Sequence, residues 1–109
     1  MKLVRDRIPD LMRASGRAGT FHLATATERR ELLRAKLVEE ANEFLEATPG
    51  RAAEELVDIL EVVAALAEAL GINQTDLEVR RREKAAERGA FAYGVVWHDQ
   101  EPASREVPR

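Results

Sequence analysis

Cysteine is absent from this chain of 109 residues, and histidine occurs only twice, at His22 and His98. The sequence therefore excludes disulfides, thiolate zinc sites and a cysteine nucleophile, and it argues against a histidine-rich metal site. No apolar run approaches the roughly 20 residues of a membrane span. The charged start of the chain has no hydrophobic signal core behind it. We therefore expect a small soluble cytoplasmic protein with no membrane partner.

An excess of positive charge is also missing. Lysine and arginine number 17 against 20 aspartates and glutamates, which gives a formal charge of −3. Together with the lack of an obvious basic recognition helix, this balance argues against a nucleic-acid partner. Hydrophobic residues at 45% and charged residues at 34% are typical of one globular domain. Because a chain this short buries only about 65% of its unfolded surface, subunit association would help to stabilise it.

Helical signals run through most of the chain, and strand content looks negligible. Apolar side chains recur at helical intervals on two long segments. Thr25 and Glu28 have capping-box spacing, and Thr48 can cap the following helix with Pro49 in its first turn. The predicted helices cover residues 9–14, 26 to about 47, 49–70 and about 74–88, and Gly16, Gly71 and Gly89 follow three of their ends.

The short connection between the two long helices makes them antiparallel neighbours. We predict an all-α antiparallel helical bundle, completed by subunit association, with a single domain over residues 1–97. The segment 90–97 fits either a short strand or an extended arm. The polar residues 98–109 contain two prolines and are predicted to form a mobile tail.

Carboxylates on the two long helices carry the chemical information. On a helical wheel at about 100° per residue, Glu39, Glu40 and Glu43 share one face at the edge of the apolar stripe. On the next helix, the apolar arc includes Leu56, Val62 and Leu70. Glu55 falls inside this arc and Asp58 lies at its edge. The other acids of that helix (Glu54, Glu61 and Glu68) cluster on the opposite side.

A carboxylate in an apolar arc must be paired, hydrogen-bonded or bound to a metal. Local pairing is poor, because Glu39 and Glu43 are four residues apart and like charges at that spacing oppose the helix. Arg51 could pair with Glu55, but we expect that pair to pull Glu55 outward. A hard divalent cation such as Mg²⁺ resolves the excess of carboxylates. An arginine from elsewhere remains an alternative partner for Glu55, and an acid-rich helix face is often simply solvated.

Three blocks of sequence are similar to a known family. The blocks are Lys36-Leu-Val-Glu39-Glu40-Ala-Asn-Glu43 with Glu54-Glu55-Leu-Val-Asp58, the opening Lys2-Leu-Val-Arg5-Asp6-Arg7-Ile-Pro9, and Lys84-Ala-Ala-Glu-Arg88-Gly89-Ala-Phe91. The first resembles the EExxE…ExxD signature of MazG-like all-α nucleoside triphosphate pyrophosphohydrolases. The other two resemble the ends of a small MazG-like subgroup. The likeness covers roughly residues 2–97.

This resemblance implies a homo-oligomer, either a dimer or a tetramer, with active sites near subunit contacts. It implies Mg²⁺-dependent cleavage of a nucleoside triphosphate between the α and β phosphates, in some members to remove non-standard nucleotides. Mn²⁺ is a possible substitute for Mg²⁺. A related branch of the family hydrolyses phosphoribosyl-ATP.

The predicted site combines the acids of both long helices. Its leading metal ligands are Glu40, Glu43, Glu55 and Asp58. Glu39 is either a further ligand or, as one of the pair Glu39 and Glu40, the general base for the attacking water. By resemblance, Lys36, Lys84 and Arg88 hold the substrate phosphates, with Lys2 and Arg5 as weaker candidates.

Two alternative functions remain open from the sequence. A phosphoribosyl-ATP pyrophosphohydrolase would use the same acidic site on a different substrate. A non-catalytic helical association module would account for the amphipathic helices, but it leaves Glu55 in the apolar arc unexplained.

Overall fold

The computed structural model describes residues 1–98 of the chain. Within that range four α-helices and a 3₁₀ turn follow one another without any strand, which confirms the all-α prediction. The helices are α1 (Ile8–Ala14), α2 (Ala26–Glu46), α3 (Ala52–Ala69) and α4 (Gln74–Arg88), and the 3₁₀ turn is Pro49–Arg51. Over the same residues, no helix is long and apolar enough to cross a membrane.

The chain divides into two compact units, residues 1–74 with α1 to α3 and the part from residue 75 onward with most of α4. A single domain over residues 1–97 stays a prediction. Residues 90–98 are exposed and contain only a turn, in which the Gly94 N–H donates to the Phe91 carbonyl at 3.3 Å. Of the two alternatives predicted for this segment, the short strand is therefore wrong. Residues 99–109, nearly all of the predicted tail, lie outside the described residues.

The start of α2 follows the capping signal in the sequence. The Glu28 N–H donates to Thr25 Oγ1 at 3.1 Å, which confirms Thr25 as the N-cap. The Glu28 side chain binds His22 instead of returning to the cap, with Glu28 Oε1 2.8 Å from His22 Nε2. The cap fixes the first residue of α2 and therefore which residues face α3.

The break between α2 and α3 differs from the prediction. The Thr48 side chain makes no cap hydrogen bond, and α3 begins at Ala52 rather than at Pro49. The Arg51 N–H donates to the Thr48 carbonyl at 2.9 Å, which is the tighter i→i+3 pattern of a 3₁₀ turn. At the other end, Gly71 takes the left-handed φ of +74° that ends a helix, as predicted.

Helices α2 and α3 pack against each other as an antiparallel pair. Arg29, near the start of α2, binds Glu68, near the end of α3, with Nη2 2.7 Å from Oε2. Their other ends meet where carboxylate oxygens of Glu40 and Glu55 lie within 4.8 Å of one another. The antiparallel arrangement predicted from the short connection is therefore confirmed, and it brings the acids of both helices to the same end.

The core of this unit is small. Leu33, Val62 and Ala67 are its buried apolar residues. Leu56 and Leu70, which the helical wheel places within the apolar arc, are exposed. The buried face of α3 is therefore rotated toward Val62, and Glu55 remains on it. Much of the apolar surface of α2 and α3 faces outward.

Candidate functional site

Two glutamates are buried at the end of the helix pair where α2 leads into α3. Glu40 is 5% exposed and Glu55 is 8% exposed, so the burial expected for Glu55 is confirmed. The Oε2 atom of each lies in the interior without a hydrogen-bond partner within the described part of the chain. Because leaving a buried charged acceptor unpartnered costs more than about 1–3 kcal/mol, both oxygens are suited to accept a cation or donor beyond residues 1–98.

Carboxylate oxygens from α2 and α3 converge around Glu40. Oxygens of Glu40, Glu55 and Asp58 lie within 4.8 Å of one another, and so do oxygens of Glu39, Glu40 and Glu43. We call these five residues the acidic cluster. Oxygens at this spacing suit Mg²⁺, whose ligands lie at about 2.1 Å in an octahedron. The donor set is all oxygen, so it also fits Mn²⁺ but not the soft metals.

Burial differs within the acidic cluster. Glu40 and Glu55 are buried, Glu39 and Asp58 are half-buried, and Glu43 is exposed. The structure brings together the five acids that the sequence singled out. Their individual roles as ligand or base stay a prediction.

Two cations of the α2–α3 hairpin contact the acidic cluster. Lys36 Nζ lies 3.2 Å from Glu40 Oε1 and 3.3 Å from Glu39 Oε2, and its side chain is only 16% exposed. Lys36 therefore binds carboxylates on its own helix, while its predicted role toward substrate phosphates stays untested. Arg51 Nη2 is 3.9 Å from Glu55 Oε1, beyond hydrogen-bond range. This contact leaves Glu55 buried, so the expected outward pull of Arg51 is wrong.

The segment before α1 supplies two further cations. Lys2 Nζ lies 2.9 Å from Glu39 Oε1, and Arg5 Nη2 lies 2.8 Å from Asp58 Oδ1. Neither ion pair was predicted from the sequence. Arg5 and Asp58 are 53 positions apart, so no local spacing signals the contact.

Electrostatics at Glu39 reflect these contacts. The hydrogen bond from Lys2 lowers the pKa of Glu39 below its ordinary value, and the contact with Lys36 adds to this effect against the opposing influence of burial. The same hydrogen bond raises the pKa of Lys2. The Glu39 carboxylate is therefore ionised at neutral pH and contributes to the negative charge of the site.

The remaining predicted phosphate ligands, Lys84 and Arg88, lie on α4 and are exposed. They are four residues apart and therefore share one face of that helix. On the same helix, Arg81 and Arg82 bind Glu78 at 2.7–3.1 Å. The phosphate-binding role of Lys84 and Arg88 stays a prediction.

Comparison with known protein families gives a match over most of the chain. A sequence model described as phosphoribosyl-ATP pyrophosphohydrolase matches residues 13–84, well over half of the chain. This range contains α2, α3 and the whole acidic cluster. A search of curated proteins and a search of solved structures found no match. The family acts on nucleotide substrates and typically uses a divalent metal, for which the acidic cluster has suitable ligands. The chain therefore belongs to the phosphoribosyl-ATP pyrophosphohydrolase family, within the MazG-like all-α pyrophosphohydrolases, which are hydrolases acting on acid anhydrides.

Proposed function

We propose that this protein hydrolyses nucleoside triphosphates between the α and β phosphates, with Mg²⁺ as its cofactor. The products are a nucleoside monophosphate and pyrophosphate. The observation that carries the proposal is the pair of buried oxygens, Glu40 Oε2 and Glu55 Oε2, which lack partners where acids of two helices meet. A hard divalent cation has the charge and ligand preference that these oxygens require.

The residues that hold the cation in this proposal are Glu40, Glu43, Glu55 and Asp58. When bound, the cation supplies charge neutralisation and Lewis acidity to the phosphate chain. Phosphoryl chemistry otherwise needs mainly alignment and positive charge from the protein. The antiparallel packing of α2 on α3 provides this alignment, because it holds Glu40 beside Glu55 and Asp58.

We assign the general base to Glu39 rather than Glu40. Glu39 is partly exposed, with 29% of its side chain accessible, so water can reach it. Glu40 is buried, with one oxygen on Lys36 and the other unpartnered, which suits a ligand. In this assignment the attacking water transfers its proton to the Glu39 carboxylate as the bond between the α and β phosphates breaks and pyrophosphate leaves.

Two isosteric variants separate these roles. Glu39→Gln should reduce kcat while leaving the dissociation constant for Mn²⁺ near the wild-type value. Glu40→Gln should weaken Mn²⁺ binding itself. The measurement is Mn²⁺ titration without substrate, alongside steady-state rates of pyrophosphate release. Loss of Mn²⁺ binding in both variants would make Glu39 a ligand rather than the base.

Phosphoribosyl-ATP is the second candidate substrate, because the matching family model carries its name. The acidic cluster can serve either substrate, since both present a triphosphate chain to the metal. We also propose that the protein removes non-standard nucleotides. This role predicts that a modified nucleoside triphosphate is hydrolysed with the highest kcat/KM.

The deciding experiment measures pyrophosphate release from standard and modified nucleoside triphosphates and from phosphoribosyl-ATP, with and without Mg²⁺. Mg²⁺-dependent release from free triphosphates supports the first proposal. Activity on phosphoribosyl-ATP alone selects the second. No release from any substrate by folded protein would favour a non-catalytic association module.

Lys84 and Arg88 are proposed to bind the substrate phosphates. Lys84→Ala should raise KM and leave Mn²⁺ affinity unchanged, because a phosphate contact acts on substrate rather than on metal. Arg81→Ala on the same helix is the matched control, since Arg81 already binds Glu78. Equal effects of the two variants would indicate a general change in the surface charge of α4.

We also propose that the protein forms a homo-oligomer, with a dimer as the simplest form. Large apolar side chains on α2 and α3 are exposed, at Val38, Leu45, Val57 and Leu60. A second copy that covers them would enlarge the small core of this unit. Leu60→Lys should shift the mass measured by light scattering toward the monomer, whereas Arg34→Gln, an exposed polar change on α2, should not.

A further inference from the structure

Two ion pairs attach the N-terminal segment to the acidic cluster. Lys2 binds Glu39 and Arg5 binds Asp58, at 2.9 and 2.8 Å. Glu39 and Asp58 belong to different groups of converging oxygens, which share Glu40. The segment therefore places one cation against each part of the cluster, with both cationic side chains more than half exposed.

Arg5 binds Asp58, one of the proposed metal ligands, and Lys2 binds Glu39, whose oxygens lie within 4.8 Å of those of the ligands Glu40 and Glu43. Glu39 Oε1 and Asp58 Oδ1 already accept hydrogen bonds from Lys2 and Arg5. A metal held by the cluster withdraws negative charge from these oxygens and repels the neighbouring cations. Metal binding therefore weakens the two ion pairs.

The segment can remain in place while its charged ends move. Leu3 and Val4 lie between the two cations and are half-buried, so they anchor the backbone. The Ile8 N–H also donates to the Arg5 carbonyl at 3.0 Å, which leads the segment into α1. Lysine and arginine have long side chains that change direction without movement of the backbone.

We propose that Lys2 and Arg5 exchange partners during the reaction cycle, leaving Glu39 and Asp58 as metal binds and binding the phosphate oxygens of the substrate. This inference rests on the proposed function. It adds to the resemblance, which made Lys2 and Arg5 the weaker phosphate candidates, an exchange between phosphate and the ion pairs seen in the structure. Phosphate oxygens are strong acceptors for guanidinium and ammonium groups. A triphosphate bound to a metal in the acidic cluster would lie within reach of cations that already contact the cluster.

The exchange has a signature that neither a purely structural role nor a simple phosphate contact produces. Removing either cation removes a positive charge that repels the metal, so metal should bind more tightly in the absence of substrate. The same change removes a phosphate contact, so pyrophosphate and substrate should bind more weakly. A residue that only positions its carboxylate would weaken metal and substrate binding together.

The experiment compares Lys2→Gln and Arg5→Gln with wild type, with any purification tag at the C terminus. Calorimetry measures the dissociation constant for Mn²⁺ alone, then for pyrophosphate added to protein saturated with Mn²⁺. We expect each variant to bind Mn²⁺ several-fold more tightly and pyrophosphate about tenfold more weakly, with a similar rise in the KM of whichever triphosphate the wild type hydrolyses. Arg13→Gln is the matched control, because Arg13 binds Asp10 outside the cluster.

The proposed exchange would be wrong if both variants bound Mn²⁺ and pyrophosphate with wild-type affinity. It would also be wrong if both variants bound Mn²⁺ and pyrophosphate more weakly than wild type. These results differ from a failure of the proposed function, in which wild type releases no pyrophosphate from any triphosphate. The binding measurements remain decisive in that case, because they need no turnover.

Discussion

Glutamates in two parts of this molecule have opposite surroundings. Glu78 on α4 has both carboxylate oxygens bound by Arg81, and Arg82 adds a third contact, all near the surface. Glu40 and Glu55, on α2 and α3, are buried, and each retains an oxygen without a partner in the described chain. The acids with complete ion pairs have their charge satisfied, whereas the acids with incomplete pairing have oxygens that could accept a ligand.

The comparison shows why acid content alone is a poor guide to a site. Both regions contain several acids, and the basic partners on α4 are at the helical spacing that satisfies an exposed acid. Burial changes the outcome, because an interior oxygen that lacks a partner loses its hydration without replacement. Burial and pairing together, rather than the number of acids, distinguish a candidate metal site from a solvated helix face.

The largest expected effect comes from removing one buried acid. Glu55→Gln should lower metal-dependent kcat/KM by more than about 100-fold, because even residues that only support a metal ligand can change activity by 10–100-fold. We expect no change in metal-dependent kcat/KM for Glu78→Gln, because Glu78 is an acid with complete ion pairs. Wild-type turnover in Glu55→Gln would remove Glu55 from the metal site.

Metal should stabilise the folded protein through the buried acids. At a Mg²⁺ concentration 100 times its dissociation constant, the free energy of unfolding should rise by about 2.7 kcal/mol. Chemical denaturation with Mg²⁺ and with a chelator measures this difference. Glu78→Gln should retain it and Glu40→Gln should lose it; equal stabilisation of both variants would place the metal elsewhere.

Lys36 should matter more to stability than the arginines of α4. Lys36→Met leaves buried Glu40 without its close cation, so the unfolding free energy without metal should fall by about 1–3 kcal/mol. The matched change Arg82→Met removes an exposed ion pair and should lower the unfolding free energy less than Lys36→Met does. Urea unfolding in a chelator measures both, and equal losses would contradict the distinction between the two regions.

The smallest effect concerns the titration of Glu78. Hydrogen bonds from Arg81, with a smaller contribution from Arg82, lower its pKa to about 2. Because the pKa is lowered on folding, the pair stabilises the protein above the ordinary glutamate value of 4.5, and this contribution is lost as pH falls toward about 2. Carboxyl NMR should show this low midpoint, and Arg81→Gln should raise it. A midpoint near 4.5 in wild type would mean that the ion pair does not form in solution.

Much of the first unit follows from local signals in the sequence. The cap at Thr25, the stop at Gly71 and the helical period determine where α2 and α3 lie, with only the start of α3 displaced by the 3₁₀ turn. The same period places Glu55 on the buried face. These predictions succeed because each depends on interactions within a few residues of the chain.

Long-range contacts were not predictable in this way. The pairs of Lys2 with Glu39 and Arg5 with Asp58 depend on the path of the chain before α1, for which no spacing rule exists. The exposure of Leu56 and Leu70 was also missed. A wheel gives the angular order of residues on a helix, whereas packing against α2 determines which part of that circle is covered.

The shared position of Glu40 has a consequence for folding kinetics. All five acids lie between residues 39 and 58, and Glu40 on α2 meets Glu55 and Asp58 directly across the 3₁₀ turn. A cation held between these helices closes a short loop, and short loops lose little conformational entropy on closure. We therefore expect bound metal to accelerate hairpin formation as well as to slow its opening, so that the site assembles as an early local event in folding.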